Sequence, residues 1–160
     1  MWIAFAPAWR LVAAFVVGKR DQEHANVLLE RVQAVSCGYI PFFPSDQLPH
    51  YAHALLHVYG TPEVLLHIPG RRGPKPTPKR LPPADLHDAQ VVKRRKSGRV
   101  VEVTTKIIFG SEAAVQARLA VSPVSRMINT SFVERNNLTC RQCNGRLSRK
   151  VLSFSKDLTW

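Results

Sequence analysis

The sequence predicts an α/β fold in which a mixed β-sheet is flanked by helices. Short stretches rich in β-branched and aromatic residues alternate with amphipathic helical stretches, which is typical of α/β proteins. In addition, Asp46 directly follows a short apolar stretch and precedes a helical one, as happens at the carboxyl edge of an α/β sheet. The length of 160 residues and the hydrophobic content of 45% predict one globular domain.

The chain has a formal net charge of +12 at pH 7, which favours a polyanionic partner such as nucleic acid. The cations are clustered, with five in residues 71–80, five in residues 93–99 and six in residues 135–156. The three cysteines are too few for a disulfide framework and indicate a reducing compartment. Residues 1–17 are apolar, but Arg10 interrupts them and they are shorter than the ~20 residues of a membrane span. We expect neither a signal peptide nor an anchor.

The first half of the chain predicts a hairpin, a helix, a strand and a second helix. Residues 1–6 and 10–17 read as two strands buried on both faces, because their pattern is largely apolar. Asp21 can cap a helix over residues 22–35, which Gly38 ends.

A short strand over residues 39–43 leads to Asp46. The next helix covers residues 48–59, with Pro49 tolerated in its first turn and Gly60 as its stop.

The second half begins with an extended basic loop over residues 69–83, where prolines and glycines exclude regular structure. Residues 86–93 and 99–109 then predict a β-hairpin that turns at residues 96–98, and Ser111 can cap a short helix to residue 119.

Residues 129–156 predict one long helix. Residues 131–134, Ser-Phe-Val-Glu, have the pattern of a capping box. Apolar or small residues recur at a helical period, which also predicts that the two cysteines lie in the core. The residues of this face are Phe132, Asn136, Cys140, Cys143, Leu147 and Val151.

Three stretches resemble the DDE transposases of the insertion-sequence-one family. NTSFVERNNLTCRQ, followed by GRLSRKVLSFSK, is similar to the family's C-terminal catalytic helix. FFPSDQLPHYAHALLHVYG is similar to the segment around its second catalytic Asp, and GKRDQEHA to its Gly-x-Arg-Asp segment. The resemblance implies that Asp46 and Glu134 are two of three catalytic carboxylates that bind Mg²⁺ or Mn²⁺. They are expected to converge at one edge of the sheet.

The resemblance also implies an incomplete ribonuclease-H-like (integrase-type) mixed sheet, with residues 69–110 as an inserted basic loop and hairpin. In the family the first catalytic Asp lies on a strand before the hairpin that residues 1–18 resemble. Residues 1–160 are therefore expected to be a single truncated catalytic domain, a transposase remnant that binds DNA weakly and does not catalyse transposition. Without that first strand, the strand edges at residues 1–17 and 39–43 should be exposed, with poor solubility as a result, or the sheet should close up across the missing strand. Little helix-to-sheet order is expected near residues 1–18.

DNA is the predicted partner, a homo-oligomer is a further possibility, and no membrane is expected. The predicted location is the cytoplasm, in association with the nucleoid. The residues predicted to bind DNA are the basic side chains of the three clusters: Arg71, Arg72, Lys75, Lys79, Arg80, Lys93, Arg94, Arg95, Lys96, Arg99, Arg135, Arg141, Arg146, Arg149 and Lys150.

Two alternatives stay open at the level of sequence. The first is a basic, non-catalytic DNA- or RNA-binding protein in which Asp46 and Glu134 only cap helices. The second is a small zinc-binding module. Its ligands would come from the three histidines of one helix face, Asp46 and the Cys-x-x-Cys pair: His50, His53, His57, Cys140 and Cys143.

Overall fold

The computed structural model of this chain describes residues 1–63 and 79–144. Most of the predicted basic loop over residues 69–83 lies outside them. The elements in chain order are β1 (Trp2–Ala6), β2 (Leu11–Val16), α1 (Gln22–Val35), β3 (Phe42–Asp46), α2 (Pro49–Tyr59), β4 (Thr61–Pro62), β5 (Arg80–Leu81), β6 (His87–Lys96), β7 (Arg99–Phe109), α3 (Glu112–Val121) and α4 (Ser131–Cys143).

The strands form a mixed arrangement. β1 and β2 pair as an antiparallel hairpin, and β4 and β5 form a short antiparallel pair. The main sheet has the order β3-β6-β7, in which β3 runs parallel to β6 and β7 runs antiparallel to it. The predicted α/β fold, with a mixed sheet flanked by helices, is confirmed. None of the helices within residues 1–63 and 79–144 is long and apolar enough to cross a membrane.

The core lies between the helices α1 and α2, the hairpin and one face of the main sheet. Leu28 of α1, Leu55 of α2 and Leu86 just before β6 are almost fully buried there. Trp2 joins the hairpin to this core, because its ring packs edge-on against Tyr51 at a centroid distance of 5.6 Å. On the other face of the main sheet, α3 contacts β6.

Several local signals act as predicted. The Asp21 carboxylate accepts a hydrogen bond from the His24 backbone N–H at 3.0 Å and caps α1. Ser111 caps α3 in the same way. Ser97 and Gly98 have φ values of 51° and 78°, so the β6–β7 connection is a two-residue turn of the kind that matches strand twist.

The hairpin is buried on one face, so the prediction of burial on both faces is wrong. Ala14 and Val16 face the core, whereas Leu11, Val12 and Phe15 are exposed, Phe15 by 54%. Among the described residues, α1 covers one face of the hairpin and α4 reaches β1. The outer face of β2 is left apolar and open to solvent.

The edges of β1 and β3 are unpaired in the part of the chain that the structure describes, as the sequence predicts. The sheet is not closed up across the gap between them. The expected lack of helix-to-sheet order near residues 1–18 is wrong, because α1 packs on both strands of the hairpin. β3 lies later than predicted and includes Pro44, which an edge strand tolerates.

The last described helix is shorter than predicted. α4 ends at Cys143, and Asn144 has extended backbone angles (φ −128°, ψ 104°), so one continuous helix over residues 129–156 is wrong. Leu147 and Val151 lie outside the described residues. None of the residues of α4 is fully buried; Cys140 is half-buried and Cys143 is exposed. The prediction of core cysteines is therefore wrong.

Truncation of Leu28 tests the position of the core. We expect Leu28→Ala to lower the free energy of unfolding by about 2–5 kcal/mol, because Leu28 is only 1% exposed and its removal leaves a cavity. Leu138→Ala in α4 is the matched control, since Leu138 is 53% exposed and its truncation should cost less than ~0.5 kcal/mol. Urea denaturation measures both, and equal losses would contradict this core.

Candidate functional site

Asp46 is the last residue of β3 and lies at the carboxyl end of that strand, as predicted. Its carboxylate forms an ion pair with the Arg20 guanidinium at 3.6 Å. Both side chains are largely exposed, so the pair contributes at most ~1 kcal/mol to stability. Asp46 does not cap α2, because the N-cap residue of that helix is Leu48.

Tyr51 lies beneath this ion pair. Burial raises the pKa of the Tyr51 hydroxyl to about 12, and the negative charge of Asp46 acts in the same direction. The hydroxyl therefore stays protonated at neutral pH. The Tyr51 ring also contacts Trp2 of the hairpin.

Glu134 lies in the first turn of α4 and contacts the main sheet. The Lys93 ammonium of β6 donates a hydrogen bond to Glu134 Oε1 at 2.5 Å, and the Thr130 hydroxyl donates to the same oxygen at 3.0 Å. The hydrogen bond from Lys93 holds the pKa of Glu134 below its usual value, and Thr130 and the charge of Arg95 add to this effect.

The predicted capping box is not formed. Thr130 is the N-cap residue of α4, without a side-chain hydrogen bond to the helix backbone, and Ser131 is the first helical residue. Glu134 therefore joins α4 to β6 instead of closing a cap.

Strand register relates Asp46 to Glu134. Asp46 lies beside Val91 in the parallel ladder, and Lys93 is two positions further along the same face of β6. Strand spacing then puts the Cα atoms of Asp46 and Lys93 about 8 Å apart. Lys93 in turn holds Glu134, so both carboxylates belong to one end of the β3–β6 pair. Their convergence on a shared metal stays a prediction.

The two carboxylates lie in cationic surroundings. In residues 1–63 and 79–144, no three His, Cys, Asp or Glu side chains form a group that could hold a metal ion. Carboxylate oxygens suit Mg²⁺ or Mn²⁺, but Asp46 and Glu134 each face a cationic side chain. The described residues therefore do not fit a two-metal site.

The histidines proposed as zinc ligands have other partners. A ring nitrogen of His50 contacts the Gln22 side-chain oxygen at 3.2 Å, and His57 Nε2 lies 3.6 Å from a Glu30 carboxylate oxygen. The geometry offers no support for the zinc-binding alternative.

The outer ends of β6 and β7 form a basic two-stranded arm, residues 93–103, which we call the basic ribbon. Every residue in it is exposed. It carries five cations and one acid, Glu102. Glu102 lies 3.7 Å from Arg94 in an ion pair. Among the described residues, three of the ribbon cations have no acidic side chain within 4 Å: Arg95, Lys96 and Arg99.

The structure brings together some of the predicted DNA-binding residues. The five cations of the second cluster, at residues 93–99, all lie on the basic ribbon. Arg80 of β5 instead donates to the backbone oxygens of His57 and Gly60 at the end of α2. Arg135 and Arg141 lie on α4. The backbone oxygen of Lys79, just before β5, accepts a hydrogen bond from the Glu63 backbone N–H. The remaining six residues predicted to bind DNA lie outside the described residues: Arg71, Arg72, Lys75, Arg146, Arg149 and Lys150.

Asp88 is an unusual site residue that the sequence analysis missed. It is fully buried in β6, where it accepts a hydrogen bond from the Ser45 hydroxyl at 3.2 Å. Its second oxygen has no hydrogen-bond partner, and the same is true of the nearby Tyr59 hydroxyl, whose ring packs on Phe43. Burial raises the pKa of Asp88 to about 6. The strand period was the available signal, because Asp88 is two positions after the core residue Leu86 and so points to the same face.

No family model matches the chain, and no curated protein or solved structure is significantly similar to it. The candidate site is therefore interpreted from the residues of this chain.

The buried carboxyl of Asp88 predicts a pH-dependent stability. Its folded pKa is raised from 3.8 to about 6, so the penalty for the buried charge grows as pH rises from about 4 to about 6 and stays constant above that range. The shift from 3.8 to about 6 corresponds to an order of ~3 kcal/mol. We expect wild type to lose roughly this much stability relative to Asp88→Asn between pH 4 and pH 7.

Chemical denaturation at several pH values measures this difference. Asp85→Asn is the control, because Asp85 is an exposed acid three positions earlier. Parallel pH profiles for wild type and Asp88→Asn would show that Asp88 ionises normally.

Proposed function

We propose that this chain binds duplex DNA through the basic ribbon. We also propose that it descends from the catalytic domain of DDE transposases of the insertion-sequence-one family without retaining DNA cleavage. The observation that carries the first proposal is the exposed ribbon of residues 93–103, where five cations accompany one acid. Such a local excess of positive charge favours phosphate groups, because their counterions are released when the protein binds.

The shape of the ribbon supports duplex DNA as the ligand. A two-stranded β-ribbon fits the major groove, which is about 12 Å wide and 8.5 Å deep. The ribbon extends roughly 13 Å from Lys93 to the turn at Ser97 and Gly98, at about 3.3 Å per residue. Its phosphate contacts would come from Arg95, Lys96 and Arg99, and such contacts position a protein without reading sequence.

The order of the elements supports the proposed ancestry. A hairpin, a helix, a strand that ends in Asp46 and a second helix follow one another, and Glu134 lies in the first turn of a later helix. The parallel pairing of β3 with β6 is that of an α/β sheet. The unpaired edges of β1 and β3 fit an incomplete ribonuclease-H-like sheet that lacks a strand between them.

The alternative in which the carboxylates serve only as caps is less well supported. Asp46 pairs with Arg20 and leaves Leu48 as the N-cap of α2, and Glu134 pairs with Lys93.

RNA as the ligand is a separate question, which a duplex RNA of the same length tests directly. The deep, narrow major groove of A-form RNA excludes such a ribbon, so we propose DNA.

The first test is a salt titration of binding to a duplex DNA of arbitrary sequence. With the three ribbon cations Arg95, Lys96 and Arg99 engaging phosphates, log Kd should change with log salt with a slope of roughly 2.7 in magnitude, at ~0.9 per contact. Fluorescence anisotropy between about 50 and 200 mM salt measures it. A flat titration, or tighter binding to duplex RNA, would contradict the proposal.

A matched pair of triple variants locates the interface. Arg95→Gln, Lys96→Gln and Arg99→Gln together should reduce the slope by roughly 2.7, because three phosphate contacts are lost. Arg10→Gln, Lys19→Gln and Arg126→Gln remove the same charge from surfaces outside the ribbon and should change the slope little. Equal effects of the two variants would show that net charge, and not the ribbon, determines binding.

The second test concerns catalysis. We expect no nicking or strand transfer by this chain with Mg²⁺ or Mn²⁺, because in-line phosphoryl displacement requires positioned metals and each 1.36 kcal/mol of lost stabilisation costs tenfold in rate. A supercoiled-plasmid nicking assay on purified protein measures it. Metal-dependent cleavage that disappears in Glu134→Gln would show that an active site is complete.

A further inference from the structure

We propose that Glu134 is an internal competitor of DNA, whose carboxylate occupies the part of the basic ribbon that a phosphate group would otherwise bind. The inference rests on the proposed function, since it describes how binding at the same ribbon is limited. It assigns to Glu134 a role that needs no metal, in keeping with the cationic surroundings of that residue.

The contacts of Glu134 are those of a bound oxyanion. Lys93 donates to Oε1 at 2.5 Å, Thr130 donates to the same oxygen at 3.0 Å, and the charge of Arg95 acts on the carboxylate from the ribbon. An ammonium, a hydroxyl and a guanidinium are also the groups that contact phosphate oxygens in protein–DNA complexes. Glu134 therefore places a carboxylate oxygen where the ribbon would otherwise bind a phosphate oxygen of DNA.

The low exposure of the Lys93 side chain supports the view that Lys93 is less accessible to DNA than its neighbours on the ribbon. The Lys93 side chain is 33% exposed, whereas the side chain of its neighbour Arg94 is 79% exposed. Lys93 is turned towards α4, and its ammonium is held at hydrogen-bond distance by a group of opposite charge. A phosphate of DNA that engages Lys93 must share its charge with that carboxylate or displace it.

The competition has a modest expected size. Glu134 is 59% exposed, so water screens the pair, and pairs of this kind are worth ~0.2–1 kcal/mol. Removing the competitor should therefore tighten DNA binding by about twofold to fivefold at low salt. It should also add one phosphate contact and steepen the salt slope by roughly 0.9.

The experiment compares Glu134→Gln with Glu112→Gln on the full chain, with duplex DNA as the probe. Glu112 is the first residue of α3 and Glu134 the fourth residue of α4, so both lie in a first helical turn and both variants remove one negative charge from a helix N-terminus. We expect Glu134→Gln to bind about twofold to fivefold more tightly than Glu112→Gln and with the steeper slope. When both variants also carry Lys93→Gln, most of this difference in affinity should disappear, because the cation that pairs with Glu134 is gone.

The outcomes separate the two proposals. If wild type binds DNA with a steep slope but Glu134→Gln and Glu112→Gln behave alike, the competition is overturned and DNA binding stands. Weaker binding by Glu134→Gln also overturns the competition, and shows that the ion pair positions the ribbon for DNA. If neither wild type nor Glu134→Gln binds DNA at ~50 mM salt, both proposals fail.

Discussion

The parallel ladder between β3 and β6 is the interaction on which the rest of the structure depends. It joins the part of the chain that holds the hairpin, α1 and α2 to the part that holds the ribbon, α3 and α4. A slip of one residue would turn every side chain of β6 to the opposite face of the sheet. Asp88 would then leave the core, and Lys93 would point away from Glu134. One register thus sets the buried acid, the base of the ribbon and the attachment of α4.

Acidic side chains have two opposing effects in a chain with a net charge of +12. The carboxylates of Asp46, Glu102 and Glu134 each lie beside a cation, which relieves repulsion among neighbouring positive groups. The same pairs leave fewer cations available to a polyanion. Asp88 differs from all of them, because it is enclosed with a hydroxyl as its partner and carries no cation beside it. Under the proposed function surface acids limit DNA binding, whereas the buried acid limits stability.

The local elements of this fold could be predicted from the sequence, and the contacts between them could not. Asp21 and the apolar period of the following residues predict α1 with its observed bounds, because caps and periods act within one helix. The face of α4 that carries Phe132 and Cys140 also follows from the period, but a period does not reveal whether another element covers the face. Glu134 meets Lys93 across a separation of 41 residues, and no short-range pattern predicts such a pair.

The outer face of the β1–β2 hairpin gives ionic strength two opposing effects on this protein in solution. At low ionic strength the positive charge keeps copies apart, but it also retains any polyanion carried over from the cell. Added salt shortens the range of repulsion to about 10 Å at 0.1 M, and strongly hydrated salts favour contact between exposed apolar side chains such as Phe15. Under the proposed function, the buffers that strip nucleic acid from the ribbon would also favour contact between the hairpins of two copies, which would narrow the range of ionic strength for purification.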